Sequence, residues 1–388
     1  MFKYIDNGEN ILRKTYQYRA YLNKQTTSNA LFVLDKCREL YNLCLEQRIY
    51  AYRQRQTSLS QYTQQAQLPE LKKEFTEYAF VNAQTLQNVV ERVDKAFQNF
   101  FRRIKQGLNN GFPRFKGFNR YDSFTLIQNG WKLNGKYLTV SKVGIFKLKL
   151  SREIPKEAKI KTVTIKRSQT NKWLVSFSCD NVPQNILPKS DDVIAFDVGC
   201  EKFITDSNGL KIENPRFINK SQDKIKKIQR KLSNQVKGSN RRNKTKIQLC
   251  KAFEKVTNQR KNFHYHVANH YVKHYDVIIH EDLKFWKADW KSLNRSMRDV
   301  SWFNFFNILA FKAASAGRQI IRVNPKNTSQ MCSQCGNIVK KELSVRVHNC
   351  PHCNLEIDRD FNSALNLLKL GSSYQHPLSK AENVHLIA

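Results

Sequence analysis

Two short cysteine pairs, CSQC from Cys332 to Cys335 and CPHC from Cys350 to Cys353, stand fourteen residues apart in the last quarter of the chain. The pattern C-x2-C-x14-C-x2-C is close to that of a zinc ribbon, in which four thiolates close a tetrahedral site around one ion. Four protein ligands leave no open coordination position, so this zinc is expected to be structural, and chemistry must be sought elsewhere. Nine cysteines in all is an odd number, which fits a reducing compartment better than a disulfide framework. The other five, Cys37, Cys44, Cys179, Cys200 and Cys250, read as small core residues.

Charge narrows the partners. Sixty-seven Lys and Arg against 32 Asp and Glu leave a formal +35 over 388 residues, far beyond what solubility needs, and such a field favours nucleic acid. The opening MFKYIDNGENILRKTYQYR has no apolar stretch of signal-peptide length, and no later run reaches the roughly 18 residues of a membrane span. A cytoplasmic protein with no membrane partner is therefore expected, its length allowing two or three domains.

A strand-like stretch near Tyr16–Leu22 precedes a helical region from about Thr27 to Gly107. In its last helix Leu86, Val89, Val90, Val93, Phe97, Phe100 and Phe101 recur on one face, with Arg92, Lys95, Arg102 and Arg103 around it. From GFPRFKGF, Gly111 to Phe118, the pattern changes to short alternating runs ending at Cys179, which predict a small antiparallel barrel or curved sheet. Arg114, Phe115 and Lys116 interleave charge with an aromatic ring, a combination suited to phosphate contact and base stacking. The stretch ILPKSDD, with Pro188 and Ser190, reads as a linker.

The second half opens with DVIAFDVG, a buried-strand run with Asp197 near its end, followed by a hairpin through KFITDSNGLKI. A carboxylate in an apolar strand is costly to bury unless it meets a metal or hydrogen-bond donors. Two basic helices follow between about Asn219 and Lys273, carrying Lys226, Lys227 and Arg230 and then Arg241 and Arg242 in NRRNKTK at the expected turn. His266, His270 and His274 recur every four residues, but no carboxylate or cysteine joins them at ligand spacing, so they read as a polar stripe. DVIIHEDL then repeats the first pattern, with Glu281 after an apolar run. A helix from Ser301 to Gly317 is expected to bury Trp302, Phe306, Leu309, Ala310 and Ala313, before the strand QIIRVNP. The order of three short strands, helices, strand, helix, strand matches an RNase H-like α/β fold, in which acids gather at the ends of central strands. Beyond the ribbon, IDRDFNSALNLLKL begins a helix with two aspartates, and periodicity does not choose between Asp358 and Asp360; either can cap it.

Taken together, YQYRAYL, AFQNFF leading into GFPRFK, FDVGCEKF, IIHEDL, TSQMCSQCG, the second CxxC and DRDFNSALN resemble, in this order, the TnpB family of transposon-encoded RNA-guided nucleases related to type V CRISPR effectors. The resemblance implies a multidomain α+β protein. Residues 1–23 and 111–186 would form a β-barrel wedge domain, with 24–110 as an inserted helical recognition domain. Residues 191–327 and 356–388 would form the RuvC-like nuclease domain, and 328–355 a zinc-ribbon insert that binds target nucleic acid.

It further implies that Asp197, Glu281 and Asp360 are the catalytic acids and hold two Mg2+ ions. Asp358 becomes a noncatalytic neighbour, and Gln87 helps read a short motif beside the target. Guide RNA and double-stranded target DNA are the implied partners of a monomer that works on the nucleoid of a prokaryotic cell. Two positions depart from the family pattern: Asn23, where a proline is frequent, and Asn354, where a glycine is usual. A catalytically silent guided binder, or a transposase using the same acidic triad, are the alternative functions.

Overall fold

The computed structural model describes residues 11–109, 111–283, 297, 299–342 and 344–373, and the ends of the expected domains beyond these ranges lie outside the described residues. The chain divides into two compact units, Asn10–Pro183 and the chain from Gln184 onward.

The first unit is a sheet with helices. Strand β1 (Ile11–Tyr21) lies at the centre of a seven-stranded sheet in the order β2-β6-β7-β1-β5-β4-β3, formed with β2 (Ser123–Leu126), β3 (Trp131–Asn134), β4 (Tyr137–Val140), β5 (Gly144–Lys149), β6 (Lys159–Arg167) and β7 (Trp173–Pro183). Every pairing is antiparallel, as the alternating runs require. Along β7 burial alternates, with Trp173, Val175, Phe177 and Cys179 inward, the period-two signature of a sheet with one face on a core.

Between β1 and β2 the chain makes helices α1 (Lys24–Arg55), α2 (Gln61–Ala66), α3 (Leu68–Glu74) and α4 (Ala83–Lys105). Asn23 is the N-cap of α1: its side chain accepts from the Thr26 amide at 2.7 Å, a role proline cannot fill. On α4 the expected face divides. Leu86, Val89, Val90 and Val93 are buried, whereas Phe101 is 54% exposed and Phe97, Phe100, Phe101 and Phe112 form an aromatic cluster past the core.

The second unit holds a five-stranded sheet in the order β10-β9-β8-β11-β12, from β8 (Val193–Val198), β9 (Lys202–Asp206), β10 (Lys211–Glu213), β11 (Val277–Glu281) and β12 (Gln319–Val323). Strands β8, β11 and β12 run parallel, and β9 is antiparallel to both neighbours. Helices α5 (Phe217–Ser233) and α6 (Asn240–His274) separate β10 from β11, and α7 (Trp302–Ala316) separates β11 from β12, so the element order read from the sequence is the order found. The segment read as a linker is laced onto this unit: Asn185 and Leu187 donate backbone N–H groups to Ser315 and Ala316, and Ser190 binds the Asp276 carboxylate.

Period two gives the parallel strands two apolar faces. Ile194, Phe196 and Ile278 pack with residues of α6 and α7, while Ala195, Ile279, Ile321 and Val323 meet Leu367 of α8 (Arg359–Ser373) on the opposite side. Helix α8 lies close against β11 because of Gly371, where a Cβ would fall 2.5 Å from the tip of Ile279.

Two details differ from the sequence reading. Helix α7 buries Trp302, Phe305, Leu309, Ala313 and Ala316, with Phe306 only half-buried against the same core and Ala310 half-buried too. NRRNKTK is not the turn between the basic helices: it opens α6, with Ser239 as N-cap accepting from the Arg242 amide at 3.1 Å.

This unit also buries His264, His280 and His348. His264 donates through Nε2 to the Val300 carbonyl at 3.0 Å and stacks on Phe203, while His280 stacks on Phe306 with centroids 4.2 Å apart. Burial pushes both down from 6.5 to about 4. Below pH 6.5 the unfolded chain takes protons that these folded sites refuse, so stability is full above that pH and is lost as pH falls toward about 4. The expected loss between pH 7 and pH 5 is about 2 kcal/mol per histidine, read as a falling urea midpoint. His264→Phe should remove about half of that slope; an unchanged slope would contradict the assignment.

Candidate active site and cysteine cluster

The register of the parallel strands brings the first two acids together. Phe196 pairs with His280, so Asp197 and Glu281 stand one step further along neighbouring strands, about 4.8 Å apart at the backbone. Both share the face of Ala195 and Ile279, the side covered by α8.

The two aspartates at the start of the helix lie in different surroundings. Asp358, the last residue of β14 (Glu356–Asp358), accepts from the Asp360 and Phe361 amides, each at 3.0 Å, and pairs with Lys211 at 2.8 Å; it caps α8. Asp360 turns the other way. Its Oδ2 lies 3.9 Å from the place a Gly199 Cβ would take, two residues past Asp197, and its other contacts are Arg359 at 3.4 Å and Arg346 at 4.0 Å.

Electrostatics agrees with this convergence. The Asp197 carboxyl is raised well above its ordinary value, first by burial and then by the charges of Glu281 and Asp360, with Arg359 only partly offsetting them. Burial also raises Glu281, against a hydroxyl contact from Thr328 at 2.6 Å. Crowded carboxylates of this kind call for a counter-charge, and an all-oxygen donor set suits a hard divalent cation such as Mg2+. All three acids remain partly exposed, within reach of a ligand. A fourth carboxylate, Asp206, is buried but already satisfied by the Asn208 and Leu210 amides and the Tyr271 hydroxyl, which makes it structural.

Cys332, Cys335, Cys350 and Cys353 form the one group, among the described residues, of three or more His, Cys, Asp or Glu whose ligand atoms all lie within 4.8 Å of one another. Cys332 to Cys353 and Cys335 to Cys350 are 3.6 Å apart at sulfur, close to the edge of about 3.8 Å that a tetrahedron with Zn–S bonds of about 2.3 Å requires. The two halves are built alike. Gly336 donates its N–H to Cys332 O and Asn354 donates to Cys350 O, both in the left-handed region at φ 78° and 56°. Asparagine is the residue after glycine that best tolerates that conformation, which accounts for Asn354. The Asn337 amide leads in pulling the Cys335 thiol down to about 6, toward the thiolate that a metal needs.

The basic candidates are placed more simply. Gln87, Arg102 and Arg103 are exposed on α4, as is Arg114 beyond it; Lys116 is held at its backbone by Asn42, with its ammonium 5.4 Å from the Tyr41 ring. Lys226, Lys227 and Arg230 are exposed on α5 and Arg241 on α6, whereas Arg242 donates to the Leu232 and Gln235 carbonyls and braces the interhelical turn. His266, His270 and His274 are exposed, with a ring contact between the last two. Sequence reasoning missed Thr328, Asn362 and Asn366, whose roles depend on contacts distant along the chain.

Residues 176–288 match a family model described as a probable transposase, and residues 302–367 match the TNB domain of Cas12f1-like proteins. A relative from Streptomyces pristinaespiralis, provisionally named an RNA-guided DNA endonuclease, is 27% identical over 93% of this chain and 90% of its own length. InsQ of Escherichia coli (strain K12), named in the same provisional way, is 29% identical over 74% of each chain. TnpB-like protein L79 of Acanthamoeba polyphaga mimivirus is 27% identical over 54% of this chain and 43% of its own. The chain is similar to proteins of the TnpB family. Among solved structures, the fold is similar to that of Cas12f1 in a complex with guide RNA and target DNA, at a TM-score of 0.57 and 15% identity over 92% of this chain and 99% of that one. No helix among the described residues is long and apolar enough to cross a membrane.

Proposed function

We propose that the protein is an RNA-guided DNA endonuclease of a transposable element, cutting target DNA beside a short adjacent motif. The observation that carries the reading is the convergence of Asp197, Glu281 and Asp360 on the α8 side of the second sheet, each from a different element. These three would hold two Mg2+ ions, which when bound supply an activated water and stabilise the leaving oxygen. The chain's own part is to fix the carboxylates by strand register and by the Asp358 cap, and to hold phosphates with its basic surface.

The nuclease part would be a RuvC-like domain formed by residues 191–327 and 356–388, with 328–355 as a target-binding insert whose four cysteines hold one structural zinc. Residues 1–23 and 111–186 would serve as the wedge and 24–110 as the recognition part, with Gln87 reading the adjacent motif. Arg102, Arg103, Arg114, Lys116, Lys226, Lys227, Arg230 and Arg241 would meet guide RNA or DNA by their backbones. The names carried by the Streptomyces relative and InsQ favour the nuclease over a transposase acting on its own.

The product ends test the chemistry. Hydrolysis at a carboxylate-metal site leaves a 5′-phosphate and a 3′-hydroxyl and stops in EDTA. Cuts bearing a 3′-phosphate, or cutting that persists in EDTA, would overturn the proposed mechanism.

A further inference from the structure

The first cysteine pair is joined to Glu281 through buried, hydrogen-bonded side chains. Thr328 is 2% exposed, and its hydroxyl lies 2.6 Å from Glu281 Oε1 and 3.1 Å from the Pro325 carbonyl. One hydroxyl has one hydrogen to give, and the shorter, charge-assisted contact to the carboxylate is the stronger claim on it. The Thr328 carbonyl in turn accepts from Asn366 Nδ2 at 2.9 Å, and the same amide group donates to the Met331 carbonyl at 2.6 Å.

One turn back on α8, Asn362 accepts from the Ser333 amide at 2.9 Å and donates to Met331 O at 2.8 Å, and one turn ahead Lys369 donates to Ser333 O. Asn362, Asn366 and Lys369 therefore form a row at helical spacing that grips the loop around Cys332. Both asparagines are 1% exposed or less. Buried carboxamides are costly unless bonded, and α8 meets the sheet with leucine instead. A polar row is thus specific to the side of α8 that faces the cysteine loop.

We propose that Thr328 is a positioning residue for Glu281, and that Asn366 ties it to the cysteine loop. Holding one oxygen of Glu281 fixes its rotamer and leaves the other for a metal ion, while the folded loop becomes a condition for a metal-competent acid. The inference rests on the nuclease reading above. Loss of a group that orients a metal ligand typically costs 10–100-fold in metal affinity or activity.

The test uses the full chain with its guide RNA and matched duplex, and Mn2+ as the probe. Binding is counted only where Asp197→Ala removes it. Thr328→Val keeps the shape and drops the hydroxyl; it is expected to weaken Mn2+ binding about 10–100-fold while zinc content is unchanged. Cleavage by this variant should be partly restored at higher Mg2+, and Thr328→Ser should stay near wild type in both readouts. Asn366→Ala, which removes the hydrogen bonds to the Thr328 and Met331 carbonyls, should shift Mn2+ affinity in the same direction by less.

Wild-type Mn2+ affinity in Thr328→Val, or a Thr328→Ser as weak as Thr328→Val, would overturn the positioning role, and an unaffected Asn366→Ala would overturn the tie. Should Thr328→Val lose zinc or fail to fold, Thr328→Ala is read against Thr328→Ser by the same criterion. If wild type binds Mn2+ through Asp197 but cuts no DNA, the nuclease reading fails while the Thr328 comparison still stands on affinity. If it binds no Mn2+ through Asp197, both fail.

Discussion

Asp197→Ala is expected to reduce guide-directed DNA cleavage by at least about 1,000-fold, because on the proposed function it would remove a ligand of the catalytic metals and forfeit several kcal/mol of charge stabilisation. The folded chain and its RNA content should be unchanged, since Asp197 is near a strand end and its side chain accepts from the Val198 amide of the next residue. The sign of its stability effect is opposite to that of activity. Its carboxyl is raised above the ordinary value, so without metal the folded state is favoured at low pH and loses stability as pH rises through the raised value. At neutral pH Asp197→Asn should therefore melt higher than wild type in EDTA, and Mg2+ should raise the wild-type melting temperature more than that of the variant. Equal melting of both in EDTA would contradict the crowding of carboxylates described here. Comparable cleavage by Asp197→Ala would remove it from the catalytic set.

The second large effect concerns the cysteine cluster. Structural zinc sites contribute apparent binding energies of about 10–16 kcal/mol that are folding energy for the segment they close. The row on α8 grips the loop around Cys332, whereas the second half of the 328–355 segment rests on β13 (Val347–Asn349), which pairs with β14 as a two-stranded ribbon. Cys350→Ser is expected to reduce zinc from one ion per chain to none and to open this segment to proteolysis, with the first unit, Asn10–Pro183, left intact. Zinc measured by elemental analysis and the mapped cleavage sites decide it. A Cys350→Ser chain that keeps its zinc, or resists protease as wild type does, would contradict the four-thiolate assignment.

Much of the candidate site was legible because its chemistry breaks local rules. Asp197 and Glu281 follow apolar runs in which a carboxylate is out of place, and two CxxC pairs at ribbon spacing have few uses besides holding a metal ion. What could not be read was whatever depends on contacts across the chain. Asp358 and Asp360 are equivalent on a helical wheel; the resemblance alone pointed to Asp360, and in the structure the amides that Asp358 caps set the two apart. Phe305 and Phe306 are both compatible with an i+3, i+4 stripe, so the buried one is set by the rings it meets, Phe196 and Phe203 among them.

The basic run NRRNKTK has a turn-like composition, yet a serine cap before it is enough to start a helix of 35 residues. Strand β1 was recognisable as a strand, but its place at the centre of the first sheet, between β5 and β7, comes from pairings with residues more than a hundred positions away. The row of Asn362 and Asn366 carries no sequence signal, because asparagines within a helix look like ordinary surface residues until their partners are known.

The most direct test of the central claim is to express the chain with its native flanking DNA, sequence the RNA that co-purifies, and offer the complex guide-matched and scrambled plasmids in Mg2+. A defined RNA species and cleavage of the matched plasmid alone is the predicted result. Absence of any defined RNA, or equal cutting of both plasmids, would contradict the account.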